Sequence, residues 1–165
     1  YTLTLTLADS STKMEMGRPT SLGSLKIEAL QLMHPLHVLW GDVILLRGYD
    51  LQLFTESLEL TLYWQAQRRM DVSYKVFVHL IDPTTGTIVA QDDAVPRRWT
   101  YPTTLWERDE MVKDTISLPL QGISAGSYRL VLGLYDEGTG ERLPAYSADD
   151  ERYPGDVVPL TTVQR

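Results

Sequence analysis

The chain has 165 residues, a formal net charge of −7 and a pI near 4.9. That length can bury a core in one domain without staples, and the acidic balance argues against nucleic acid or an anionic lipid surface as a partner. The absence of cysteine excludes disulfides and thiolate metal sites. No run approaches the ~18 apolar residues of a membrane span, and no signal-peptide pattern is visible. The chain opens on Tyr1 rather than Met, so it is read as a piece or a processed form of a longer product.

Residues 1–7 alternate Leu3, Leu5 and Leu7 with threonines and predict a strand. Residues 8–22 are polar, contain Gly17 and Pro19, and read as a loop or linker. This divides the chain into an N-terminal strand and linker over residues 1–22 and a sandwich domain over residues 23–165. Leu25, Ile27 and Ala29 begin a further strand run, which His34-Pro35 closes. Residues 42–54 form a longer strand region with a bulge or bend at Gly48. Leu58, Leu60, Leu62 and Trp64 then alternate with Glu59, Thr61, Tyr63 and Gln65, the pattern of a half-buried strand.

After a turn over residues 66–72 comes the stretch on which the fold rests. Tyr74, Val76, Val78 and Leu80 share one face of an extended segment, and Lys75, Phe77, His79 and Ile81 the other. Apolar residues on both faces predict a central strand covered in part on each side. Asp82-Pro83-Thr84-Thr85-Gly86 turns the chain back into a second strand over residues 87–91. Residues 111–118 form another strand, with Val112, Ile116 and Leu118 apolar. Tyr128, Leu130, Leu132 and Leu134 form the next. The turn after it, Asp136-Glu137-Gly138-Thr139-Gly140, repeats the pattern D-x-x-T-G. Each leading aspartate is expected to cap its own turn through a bond to backbone N–H. Val157-Val158 adds an edge pairing, and no helix of three or more turns is expected. Roughly eight to ten short strands with Gly, Pro and Asp punctuation predict an all-β chain folded as an antiparallel β-sandwich. Jelly-roll and immunoglobulin-like arrangements both fit.

Catalytic signatures are absent: there is no nucleophile elbow, phosphate loop or zinc-binding helix motif. His34 and His37 flank Pro35 on an extended or turning segment, so their rings do not converge on one metal. Carboxylate pairs are plentiful in an acidic chain, so Asp92-Asp93 or Asp149-Asp150 alone does not nominate a glycosidase, and adjacent residues on a strand point to opposite faces. The acidic loop Asp149-Asp150-Glu151 matches no EF-hand spacing and reads as solvated. No metal and no cofactor are expected. The remaining constellation is residues 91–106, where Trp99, Tyr101 and Trp106 alternate with Asp92, Asp93, Arg97 and Arg98. Flat aromatic faces stack on sugar rings, and carboxylates and guanidinium groups bond their hydroxyls. The candidate carbohydrate-binding set is Trp99, Tyr101, Trp106, Asp92, Arg98 and, from the central strand, His79. The competing expectation is that Tyr101 and Trp106 fold down as lids over the core and leave Trp99 exposed.

Tyr63-Trp64, residues 74–80 (YKVFVHL), Val89-Ala90-Gln91-Asp92, Tyr101-Pro102-Thr103, Trp106, Gly126-Ser127-Tyr128, Gly133-Leu134-Tyr135-Asp136 and Arg142-Leu143-Pro144 together resemble a recurring module. It is the β-sandwich at the C-terminal end of multi-pass bacterial membrane proteins related to dolichyl-phosphate-mannose-type glycosyltransferases. The likeness spans residues 58–144, and no catalytic residue carries over with it. It implies a non-catalytic accessory module on the extracytoplasmic face of a membrane, beside a transferase domain outside this chain. Together with the aromatic loop, the expectation is a module that binds glycan or positions an acceptor. Its rivals are a structural or protein-interaction domain that packs on its parent or on a second copy as a homo-oligomer, and a glycosidase with two converging carboxylates.

Overall fold

The computed structural model describes residues 2–5, 20–24 and 32–165. The chain divides into two compact units, Tyr1–Gln31 and Leu32–Arg165. In the first, β1 (Thr2–Leu5) pairs antiparallel with β2 (Thr20–Ser24). The polar run expected as linker therefore ends in a strand, which crosses the anticipated boundary at residue 22. The strand expected around Leu25, Ile27 and Ala29 lies outside the described residues.

The second unit is an antiparallel sandwich. Its strands are β3 (His34–Trp40), β4 (Ile44–Leu53), β5 (Ser57–Ala66), β6 (Tyr74–Ile81), β7 (Ile88–Ala94), β8 (Met111–Pro119), β9 (Ser127–Asp136), β10 (Ala145–Tyr146) and β11 (Val158–Gln164). One sheet has the order β10-β3-β4-β5-β8 and the other β11-β9-β6-β7. Leu58, Leu60, Leu62 and Trp64 of β5 face Val76, Val78 and Leu80 of β6 and Leu130, Leu132 and Leu134 of β9 across one continuous core. Trp40 and Trp64 meet edge to face there, with ring centroids 5.6 Å apart. The alternation read from the sequence is thus the physical division between core and outer faces.

β6 is an inner strand, paired with β7 on one side and β9 on the other. Its second face is partly covered, as Phe77 is buried while Lys75 and His79 are half-buried. The two D-x-x-T-G turns share one bonding scheme. Asp82 Oδ1 accepts the N–H groups of Thr84 and Thr85, and Asp136 Oδ1 those of Gly138 and Thr139. Gly86 N–H donates to Asp82 O, and Gly140 N–H to Asp136 O. Both glycines take positive φ, +73° and +75°. The threonine hydroxyls repeat the match, with Thr85 Oγ1 accepting Thr87 N–H and Thr139 Oγ1 accepting Glu141 N–H.

One sequence reading is corrected and another is extended. His34-Pro35 opens a strand rather than closing one. Pro35 lies opposite Gly48 where the β3–β4 register shifts, a place where a missing N–H costs no ladder bond. A Cβ on Gly48 would lie 2.6 Å from the His34 carbonyl oxygen, so the bulge expected at Gly48 is also what lets β3 approach. The last edge pairing extends well beyond Val157-Val158. β11 runs to Gln164, with exposed Pro159 at its own register shift.

Candidate functional site

The outer face of the four-stranded sheet carries Lys75, Phe77 and His79 from β6. Register puts Phe77 between Asp93 of β7 and Gly133 of β9, and Lys75 beside Tyr135. Gly133 has no side chain, so the Phe77 ring lies down across it; a Cβ there would collide with Phe77 Cζ and Cε1. Tyr135 reaches over β6 toward Asp93, its hydroxyl 3.5 Å from Oδ2. His79 Nε2 stands 3.4 Å from Asp93 Oδ1. The Arg142 guanidinium comes in from the return of the second D-x-x-T-G turn, 5.0 Å above the Phe77 ring, and is tethered to the Gly155 carbonyl at 3.0 Å. Phe77, His79, Asp93, Tyr135, Gly140 and Arg142 enclose a shallow pocket of about 190 Å³. Burial and the Asp93 carboxylate raise the Tyr135 phenol above its ordinary value, so it remains a hydrogen-bond donor.

Lys75, the register partner of Tyr135, lies beside the aromatic loop. Its ammonium lies 4.5 Å from the centre of the Trp99 ring and 3.5 Å from Glu137. Trp99 is 56% exposed, whereas Trp106 is 1% exposed. Trp106 is therefore withdrawn from the candidate set. Its ring belongs to the core, and its indole N–H donates to the Tyr101 carbonyl at 3.2 Å. Tyr101 is half-buried, lies under the Arg97 guanidinium at 4.8 Å and donates its hydroxyl to Glu110 at 3.0 Å. That bond is the main cause of its raised pKa. Both residues thus act as lids, and Trp99 remains as the loop's stacking surface.

The loop owes this arrangement to its backbone. Arg97, Arg98 and Trp99 all take left-handed conformations, with φ of 54°, 53° and 69°. For L-residues this costs roughly 1–2 kcal/mol each. Pro96 precedes them, and Trp99 N–H closes the turn on the Val95 carbonyl at 2.9 Å. The buried carboxylate of Asp114 on β8 accepts Arg97 N–H at 2.7 Å, and Arg97 Nε donates to the Lys113 carbonyl at 3.2 Å.

The six predicted residues are thus distributed over four surroundings. His79 lies on the outer face of the four-stranded sheet, and Trp99 lies under Lys75 of the same face. Arg98 lies on the left-handed turn and lines a separate cleft with Arg97, Lys113 and Thr115. Tyr101 and Trp106 are packed lids. Asp92 opposes Val78, a core residue, so it points away from the His79 pocket and its charge acts on Asp114. The carboxylate that meets His79 is its neighbour Asp93. Sequence reasoning missed Tyr135 and Arg142, although the matched turns placed both residues at a common hairpin.

Among the described residues, no group of three or more His, Asp and Glu side chains is arranged to hold a metal ion. In the acidic loop, Ser147 Oγ accepts the N–H groups of Asp149 and Glu151. No helix among the described residues is long and apolar enough to cross a membrane. No family model matches this chain, and no curated protein or solved structure matches it.

Proposed function

We propose that this chain is a non-catalytic accessory module that binds glycan on the outer face of its four-stranded sheet. The observation that carries the reading is a pocket of convergent polar groups on the sheet face whose Lys75, the register partner of Tyr135, lies over an exposed tryptophan. Trp99 supplies a stacking face. Asp93, His79, Tyr135 and Arg142 supply acceptors and donors within one small concavity. Asp93 is the sole carboxylate lining that pocket. Glycoside hydrolysis ordinarily uses two, which favours binding over turnover. The resemblance of residues 58–144 supports extending the proposal to an extracytoplasmic setting, with a membrane transferase domain as parent.

The test is a glycan-array screen of the folded chain, followed by titration of any hit through tryptophan fluorescence. Saturable binding that falls at least tenfold in Trp99→Ala and in His79→Ala is the expected result. A blank screen on folded protein would overturn the reading and leave the interaction role. That second role draws support from Leu53 and Phe54, adjacent and each 48% exposed at the β4–β5 turn. It predicts association with the parent or a second copy that Phe54→Ser abolishes.

A further inference from the structure

The outer face of the other sheet carries a feature that glycan binding at the His79 pocket does not use. In a chain of net charge −7, three cations and a threonine converge there. Arg97, Arg98, Lys113 and Thr115 line an open cleft of about 440 Å³, with no carboxylate among the lining residues. Among the described residues, none of the three cations forms an ion pair with a carboxylate. On this face Glu59 is exposed, and Asp50, one strand further from β8, is occupied. It accepts Tyr63 OH at 2.8 Å and Met33 N–H at 2.9 Å. The Thr115 hydroxyl stands 3.3 Å from that of Thr61, so a hydroxyl donor is also at hand.

One of the three cations, Arg97, is held in place. Arg97 is fixed through its N–H to Asp114, through Nε to the Lys113 carbonyl and through its guanidinium over Tyr101. The strained turn is not repaid by burial, because Arg97, Arg98 and Trp99 are all exposed. Strain kept at an exposed cluster of like charges, where glycine would relieve it, is the pattern of a ligand site. Guanidinium groups beside an ammonium and a hydroxyl recognise the oxygens of a phosphoryl or carboxyl group.

We propose that the Arg97–Arg98–Lys113–Thr115 cleft binds an oxyanion, a phosphate or carboxylate group carried by a soluble ligand or by a lipid headgroup. The cleft shares no lining residue with the His79 pocket, although its turn also carries Trp99, so phosphate binding is read at Lys113 and Thr115 and glycan binding at His79.

The experiment titrates inorganic phosphate into the full ¹⁵N-labelled chain and follows amide shifts. The expected result is saturable change at Arg98, Lys113 and Thr115, weakened at least tenfold in the double variant Arg98→Ala, Lys113→Ala. Arg98→Gly is a second check, expected to raise Tm while weakening phosphate binding severalfold. Phosphatidylglycerol vesicles, set against phosphatidylcholine vesicles, separate the sources. Cosedimentation with the anionic vesicles that the double variant abolishes assigns the oxyanion to a headgroup, and phosphate binding without it assigns a soluble ligand. If the folded native chain responds to neither probe, or if the variants respond as the native chain does, the proposal is overturned.

Discussion

The buried carboxylate of Asp114 accepts the main-chain N–H of Arg97 at 2.7 Å, joining β8 to the first residue of a left-handed turn. With the Trp99 N–H to Val95 carbonyl bond and the Arg97 Nε to Lys113 carbonyl bond, it holds a backbone that the sequence Arg-Arg-Trp would not adopt by itself. Removing the acceptor leaves Arg97 N–H without its partner. Asp114→Ala is expected to cost about 1–3 kcal/mol, read as a lower urea midpoint, and to release the turn, read as altered amide shifts over residues 96–100.

The stability of the sandwich should respond to pH through two aspartates of opposite sense. Burial holds the Asp114 carboxyl above the ordinary carboxylate range, against the lowering effect of the Arg97 N–H. A raised folded pKa means that the folded state binds the proton more tightly. That contribution is present below the unfolded pKa and is lost as pH rises through the folded one. Asp156 is lowered, chiefly by Arg152, whose Nε and Nη2 reach its two oxygens at 2.8 and 2.9 Å. Its contribution is present above the ordinary carboxylate pKa and is lost as pH falls through the lowered value. Urea denaturation across a pH series should show Asp114→Asn flattening the loss on the rising limb and Asp156→Asn the loss on the falling limb. Unchanged slopes in both variants would contradict this assignment.

Trp106 and Trp99 provide a contrast between core and surface. Trp106→Ala empties a filled core position and should cost about 3–5 kcal/mol. Trp99→Ala removes an exposed ring and a cation–π contact and should cost less than about 1 kcal/mol. Equal effects on the denaturation midpoint would show that the aromatic loop packs differently.

Gly133 is where the outer-face pocket and the fold meet. In Gly133→Ala the new Cβ collides with the Phe77 ring and lies 3.0 Å from the Asp156 carbonyl oxygen. The ring must lift from the sheet, at about 1–3 kcal/mol, and it then fills the space over which Arg142 lies. Lower stability together with a loss of binding at the His79 pocket is expected from denaturation and titration of the same variant.

The matched turns make a local prediction. Gly86 and Gly140 have positive φ and open space where a Cβ would go. Alanine at either position should therefore cost only its left-handed strain, roughly 1–2 kcal/mol, with similar values at the two sites. Widely different losses would mean that the turns are not equivalent.

Much of the architecture was legible from local chemistry alone. Alternation at residues 58–64 and 74–80 announced the two inner faces, because side chains on a strand alternate between opposite faces. The D-x-x-T-G turns were legible because their bonds run between residues a few positions apart. Where the reading failed, the cause was non-local. His34-Pro35 starts a strand because Gly48, far along the chain, leaves room for it. β11 extends to Gln164 because β9 offers it a free edge.

For the candidate site, composition identified Trp99 and His79 but could not choose their partners. Adjacent aspartates point to opposite faces of β7, and only the β6–β7 register decides that Asp93 faces the pocket while Asp92 turns inward. Likewise, Trp106 and Trp99 are the same residue type in one loop, and burial separates them only once the sandwich closes. The sequence by itself determined an antiparallel sandwich and its turns, since hydrophobic period and turn chemistry act between near neighbours. The tertiary structure alone decided which aromatic is exposed, which carboxylate meets His79 and where three cations converge, since strand register and sheet closure bring together residues that are distant along the chain.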